Sequence, residues 1–348
     1  MPAMLSDLTP AIERGRELTA AEISAAATAL LRDDPAAVDA KANFLRALAR
    51  RGETPAELTG FVREFLGHAV VPPLDLTALD RPAIDVCGTG GDKLGLFNVS
   101  TTAMFVLAGA GVAVVKHGNR GITSPSGSAD VLAALGGKID LAPDRFAEGI
   151  RRTGVAFMLA PHYHPAFKAV APVRQKLAAE GQRTMFNLIG PLLNPVQPAY
   201  QIAGVYDRTL VPTYATILAG LGRTRAWAVH GETADGRGMD ELSTLGPNHV
   251  VEAAGGAVTA IAVTSPLPRP ASLNQLAGGD ATTNAEILES LLRGETRGPR
   301  RDLVLLNAAA GLVVAGSAPD LVSALALAAD TLDSGRALAV LEAWRAFA

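Results

Sequence analysis

Two spacings of apolar residues divide the chain. From Thr19 to Phe65 they fall at helical intervals. Thr19-Ala20-Ala21-Glu22 is a capping box, a hydroxyl N-cap with a carboxylate at the third helical position, and it opens an Ala-rich run through Leu31. A second helix is predicted from about Ala36 to Ala49, ending before Arg51-Gly52. Thr54-Pro55-Ala56-Glu57 repeats the start signal with Pro at the first helical position, and Phe61, Val62 and Phe65 continue it as an apolar stripe. Val71-Pro72-Pro73-Leu74 is a stiff connector and marks a boundary. Beyond it short β-branched runs alternate with helical ones. The runs are Ala83–Val86, Val112–Val115, Ala156–Leu159, Ile202–Val205, Ala226–Val229 and Val258–Val263. Such alternation predicts an α/β layer fold with a mostly parallel central sheet. Pro165–Gly181 reads as helix and breaks the alternation, Pro191–Pro198 as a Pro-rich turn, and Leu303–Phe347 as helix interrupted at Gly311, Gly316 and Pro319.

Composition narrows the function classes. The 348 residues carry 31 Lys+Arg against 34 Asp+Glu, a net charge of −3, which excludes a generally basic, DNA-coating protein. Hydrophobic residues are 49% and charged ones 19%, so the chain has the means to build a core. Aromatics are only 5%, which predicts a core of Ala, Val, Leu and Ile. The single cysteine excludes an internal disulfide and a Cys-based zinc cluster. Met1–Arg14 has no basic segment followed by an apolar one, and the longest apolar run, Ala103–Val115, is shorter than the ~20 residues of a membrane span. A soluble, cytoplasmic protein is expected.

Four segments could carry chemistry. Asp85-Val86-Cys87-Gly88-Thr89-Gly90-Gly91-Asp92 follows a predicted strand, and its glycines allow a tight turn or a nest of N–H groups for an anion. Asn98-Val99-Ser100-Thr101-Thr102 then opens an apolar helix, either as a simple N-cap or as a phosphate site at the helix N-terminus. Lys116-His117-Gly118-Asn119-Arg120 is read as the loop after the second strand, where open α/β sheets bind ligands, and it is followed by the hydroxyl-rich 123–130. Two cations and several hydroxyls suit a ligand with several phosphates, though a solvated loop has the same composition. Asp240-Glu241 could hold Mg2+ or be a charge pair at a helix start. His162 and His164 lack a third ligand at metal spacing, and Arg174, on the helix that breaks the alternation, is either structural or a fork donor for a carboxylate. Cys87 is read as a packing residue.

Taken in order, these segments closely resemble the anthranilate phosphoribosyltransferases. The resemblance rests on Gly88-Thr89-Gly90-Gly91-Asp92, Asn98-Val99-Ser100-Thr101, Lys116-His117-Gly118-Asn119-Arg120, Ser126-Gly127-Ser128-Ala129-Asp130, His164-Pro165-Ala166, Val170-Ala171-Pro172-Val173-Arg174, Phe186-Asn187-Leu188-Ile189-Gly190-Pro191 and Met239-Asp240-Glu241. It spans nearly the whole chain. It implies a helical domain, 1–72, joined in space by helices from about 165–200, and a larger α/β domain, 73–348, of the nucleoside phosphorylase type. It implies a homodimer through the helical domain, and transfer of the phosphoribosyl group of 5-phosphoribosyl 1-diphosphate to the amine of anthranilate, a step of tryptophan biosynthesis. The matched positions assign Gly88, Gly91, Asp92, Asn98, Val99, Ser100, Thr101, Lys116, His117, Gly118, Asn119, Ser124 and Ser128 to the diphosphate substrate. Gly88, Asn119 and Arg174 match anthranilate contacts, and Ser100, Asp240 and Glu241 match Mg2+ ligands. No indispensable general base is expected, with His117 the one candidate, because an aromatic amine is already neutral at pH 7.

The chain departs from the pattern at Leu96, in place of a hydroxyl residue, and at Pro125, in place of a cation. Segments 178–181 and 233–238 are longer than the pattern. Two rivals remain at this level. A nucleoside phosphorylase of the same fold would cleave nucleosides with phosphate. A non-catalytic relative would bind nucleic acid through a basic groove, with steep salt dependence.

Overall fold

The structure is a computed structural model and describes residues 4–121, 125–267 and 272–347. In chain order the strands are β1 (Ala83–Gly88), β2 (Ala113–Gly118), β3 (Val155–Leu159), β4 (Tyr200–Gly204), β5 (Arg225–Glu232), β6 (Gly238–Met239), β7 (Asn248–Ala254) and β8 (Ala257–Ile261). The α-helices are α1 (Leu5–Glu13), α2 (Ala20–Leu31), α3 (Val38–Arg51), α4 (Pro55–Gly67), α5 (Val99–Gly109), α6 (Ser128–Ala134), α7 (Pro143–Thr153), α8 (Ala160–Tyr163), α9 (Ala171–Ala179), α10 (Val211–Gly220), α11 (Ala281–Leu292), α12 (Pro299–Val314), α13 (Leu321–Asp333) and α14 (Arg336–Phe347). They fall into two compact units, Met1–Val71 with Pro161–Pro195, and Pro72–Ala160 with Val196–Ala348. Among the described residues no helix is long and apolar enough to cross a membrane.

The first unit is helical, and its starts are the ones the sequence marks. Thr19 and Thr54 both accept from the N–H three residues on, while Glu22 and Glu57 reach back to the N-cap N–H groups at 2.9 and 3.0 Å. Glu57 does more than cap. It is buried, pairs with Arg51, and accepts the Leu18 N–H at 2.9 Å, which fixes the chain before α2 onto α4. The core of this unit differs from the aliphatic one expected. Phe44, Phe61, Phe65, Phe167 and Phe186 form a continuous set of edge and stacked ring contacts, with centroids 5.3–6.4 Å apart. Half of the chain's ten Phe residues are here, so the low average aromatic content conceals a local concentration.

The second unit is built on an eight-stranded sheet of order β3-β2-β1-β4-β5-β7-β8, with β6 also paired to β5. β3, β2, β1, β4 and β5 are mutually parallel, and β6, β7 and β8 are antiparallel additions. The mostly parallel sheet is as expected. β7 is not among the expected strands, because only Val250 and Val251 give it an apolar run. Its hairpin signal, Gly255-Gly256, lies directly before β8. Apolar residues from α5, α12 and α14 pack with the strands into the large aliphatic core. α12 runs unbroken through Gly311, against the expected interruption. That glycine serves packing, since a methyl group there would lie 2.7 Å from Leu107 Cδ2 of α5.

Candidate active site

The sheet order puts the C-terminal ends of β1, β2 and β4 side by side, the place where parallel sheets bind ligands. β1 ends in Gly88 and runs into the glycine loop. β2 extends to Gly118, three residues beyond the expected strand, because its pairing with β3 continues through Lys116↔Phe157 and His117↔Met158. Lys116 and His117 are therefore buried strand residues rather than loop residues. The Lys116 ammonium donates to the Val86 carbonyl and lies 3.3 Å from Ser100 Oγ. The His117 N–H donates to the buried Asp85 carboxylate at 3.4 Å.

Asp240 and Glu241 follow β6 in a turn, not at a helix start, which removes the helix-pair alternative. Three glycines make room for that turn. A methyl at Gly204 would sit 1.7 Å from the Asp240 carbonyl oxygen, one at Gly88 2.1 Å from its Oδ2, and one at Gly231 2.5 Å from the Glu241 carbonyl oxygen. Asn307, buried on α12, clamps the next residue at both ends: it accepts the Leu242 N–H at 2.9 Å and donates to the Leu242 carbonyl at 3.0 Å. The carboxylates occupy backbone donors of the nest itself. Asp240 Oδ2 accepts from Gly90 N–H at 2.7 Å, and Glu241 Oε1 from Ser100 N–H at 3.1 Å.

The electrostatics favour a cation here. Burial, then the charge of Asp240, pushes Glu241 up to about 8. Burial also raises Asp240, and burial followed by the charge of Asp240 raises Asp92 to about 7. Among the described residues no three His, Cys, Asp or Glu side chains form a ready metal cage. Two carboxylates and the Ser100 hydroxyl fit instead a Mg2+ that completes its shell with phosphate oxygens and water.

The remaining site residues divide by surroundings. Gly91 and Asp92 are part of the glycine loop, and Val99, Ser100 and Thr101 form the first turn of α5, with Asn98 as its N-cap. Leu96 forms an isolated bridge with Ala277, so the position without its expected hydroxyl has a backbone role. Gly118, Asn119 and Ser128 are gathered round one loop, where the Asn119 carbonyl accepts from Ala129 N–H at 3.2 Å. Asp130 closes that loop by accepting from Gly121 N–H, Gly127 N–H and the Arg120 guanidinium at 2.8, 3.0 and 2.9 Å. Arg120 is thus paired within the protein, so the second of the two expected cations is already engaged. Ser124 lies outside the described residues. Burial pushes the Cys87 thiol up to about 12, as a packing residue requires. In the helical unit Arg174 is half-buried, 5.8 Å above the Phe186 ring, and has no ion-pair partner among the described residues. Sequence reading missed Asn307, whose one signal is an amide inside the apolar run Leu303–Leu312.

Residues 80–338 match the model of the glycosyl transferase family a/b domain. The chain is 45% identical to an anthranilate phosphoribosyltransferase of Moorella thermoacetica, over 98% of this chain and 97% of the relative. It belongs to the anthranilate phosphoribosyltransferase family. A second family member, from Bradyrhizobium sp., is 46% identical over 86% of each chain. The crystal structure of the anthranilate phosphoribosyltransferase from Thermus thermophilus superposes with a TM-score of 0.88 at 40% identity, covering 98% of this chain and 99% of that one. The Saccharomyces cerevisiae enzyme in complex with PRPP and Mg superposes with a TM-score of 0.86 at 26% identity, covering 99% and 97%. Membership makes this chain a transferase of the phosphoribosyl class and sets aside the nucleic-acid-binding rival.

Proposed function

We propose that this protein transfers the phosphoribosyl group of 5-phosphoribosyl 1-diphosphate to the amine of anthranilate, giving N-(5-phosphoribosyl)anthranilate and pyrophosphate in tryptophan biosynthesis. The observation that carries the reading is the Asp240–Glu241 turn, seated on the N–H groups of the glycine loop and of α5 in a member of this family. Ser100, Asp240 and Glu241 are assigned to Mg2+, which when bound neutralises diphosphate charge and makes it a better leaving group. Gly88, Gly91, Asp92, Asn98–Thr101, Lys116–Asn119, Ser124 and Ser128 are assigned to the diphosphate substrate. Lys116 adds a fixed positive charge under the site, which stabilises negative charge as the C1–O bond breaks. Gly88, Asn119 and Arg174 are assigned to anthranilate, with the Arg174 guanidinium pairing with the carboxylate. The neutral amine attacks C1 as the C1–O bond breaks and pyrophosphate leaves, and the resulting ammonium sheds its proton afterwards to pyrophosphate or water. Because the amine needs no prior deprotonation, the His117 side chain is not needed as a base.

We further place the protein in the cytoplasm as a homodimer joined through its helical unit. Sedimentation at micromolar concentration is expected to give twice the chain mass.

The decisive assay follows anthranilate fluorescence after 5-phosphoribosyl 1-diphosphate is added, with and without Mg2+. Fluorescence is expected to fall only when both are present. Arg174→Ala is expected to raise KM for anthranilate about tenfold or more, with KM for the diphosphate little changed. Base release from nucleoside and phosphate, without anthranilate consumption, would replace this reading by the phosphorylase one. His117→Gln is expected to retain most of kcat, and a loss as large as that of Glu241→Gln would restore a general base.

A further inference from the structure

The Asn98 side chain, at the head of α5, is held from behind. Asn284 is buried in the first turn of α11. Its Oδ1 accepts from Gly279 N–H at 2.8 Å, and its Nδ2 donates to the Gly279 carbonyl at 3.2 Å. A backbone N–H can only donate and a carbonyl can only accept, so these two contacts fix which end of the Asn284 amide is which. The same Nδ2 meets Asn98 Oδ1 at 2.9 Å, and that oxygen must accept. The orientation of Asn98 follows. Its NH2 group faces the other way and donates one hydrogen to the carbonyl of Ser126, between the assigned Ser124 and Ser128, at 3.4 Å, which leaves the second hydrogen for a ligand.

This is unusual behaviour for an asparagine at an N-cap, which ordinarily swings its oxygen over the first turn of its own helix. Here the Asn98 side chain makes no cap bond to α5. The cap is forgone, and the helix keeps its first-turn donors, apart from the Ser100 N–H taken by Glu241.

We propose that Asn284 is a positioning residue for the diphosphate substrate: it pulls the Asn98 oxygen away from the head of α5 and turns the NH2 group to the ligand side, so that an anion meets donors from both amide and helix. The proposal rests on the assignment of Asn98 to the diphosphate made above. Its physical core is a sign. With the amide reversed, a phosphate oxygen would face a carbonyl oxygen in place of an N–H donor. Asn284 touches no substrate and acts only through Asn98.

The test is a double-mutant cycle on the full-length protein, with inorganic pyrophosphate and Mg2+ titrated calorimetrically. Asn284→Asp keeps an acceptor for Gly279 N–H but presents only oxygens to Asn98, so the Asn98 amide has to turn over. Asn284→Asp is expected to weaken pyrophosphate binding about tenfold or more when Asn98 is present, and less than about twofold in the Asn98→Ala background. KM for 5-phosphoribosyl 1-diphosphate is expected to rise with it, while kcat changes little. An equal loss in both backgrounds, or none in either, overturns the proposal, because a defect of α11 alone does not depend on Asn98. If Asn284→Asp does not fold, Asn284→Ala releases Asn98 without adding charge, and its cycle is read in the same way. Pyrophosphate binding that follows this pattern without anthranilate consumption would sink the proposed reaction and uphold the role of Asn284. Wild-type protein that does not bind pyrophosphate would overturn both.

Discussion

At the scale of single residues, the site holds negative charge that the fold itself does not want. Asp240 and Glu241 are half-buried side by side, with Lys116 as nearby compensation. Folding must hold the Glu241 carboxyl protonated or carry its charge, so removing the ionisable group is expected to help the ligand-free fold and harm the reaction. Glu241→Gln should stabilise the ligand-free protein by about 1–2 kcal/mol in a thermal melt. The same variant should lose about a hundredfold or more in Mg2+-dependent turnover. A variant less stable than wild type would mean that the Ser100 N–H bond outweighs the repulsion. The acidic pair was visible in the sequence but ambiguous on its own, and only its place in the ordered motifs of the family resemblance pointed it to a cation. Its supports were not visible. Gly204, Gly231 and Asn307 acquire meaning only when the Asp240–Glu241 turn is laid against them, and nothing in their local sequence announces that approach.

Secondary-structure elements are tied together by a few well-placed charges. Glu289 on α11 accepts two bonds from Arg345 on α14, at 2.7 and 3.2 Å, and one from Arg293 at 2.7 Å. These bonds, Arg345 first, hold its carboxyl down at about 2, against an ordinary 4.5. A lowered carboxylate pKa contributes stability above the unfolded value and loses it as pH falls through the folded value. Glu289→Gln is thus expected to cost about 1–2 kcal/mol at pH 7, after allowance for its partial exposure to solvent. The gap to wild type should close between pH 4.5 and about 2 in denaturant titrations, and a gap independent of pH would show packing to be the cause. Close packing has its own test at the α5–α12 crossing, where Gly311→Ala should destabilise by about 1–3 kcal/mol through contact with Leu107. Elements with local signals were legible. The capping boxes of α2 and α4 rest on side chains three residues apart, and sequence displays such spacings directly. The true end of β2 was hidden, because Lys116 and His117 look like loop residues until pairing with β3 buries them.

The whole molecule follows a path that composition cannot reveal. The helical unit is assembled from two stretches of chain, 1–71 and 161–195, separated by three strands of the sheet. Cutting at the Pro72-Pro73 connector would not yield a tidy half. A fragment of residues 72–348 keeps every strand but carries Phe167 and Phe186 without Phe65, their ring partner. It is expected to bind hydrophobic dye and aggregate, and co-expression with residues 1–71 should suppress both. A monodisperse fragment with full activity would refute this. The same path gives biosynthesis an order in time. Phe44, Phe61 and Phe65 leave the ribosome first, and their partner rings follow only about a hundred residues later. At elongation rates of ~5–20 residues per second that interval is on the order of ten seconds. Through it the nascent chain carries an aromatic face with nothing to cover it. A codon change that slows translation between those points lengthens that exposure without altering one contact of the finished fold.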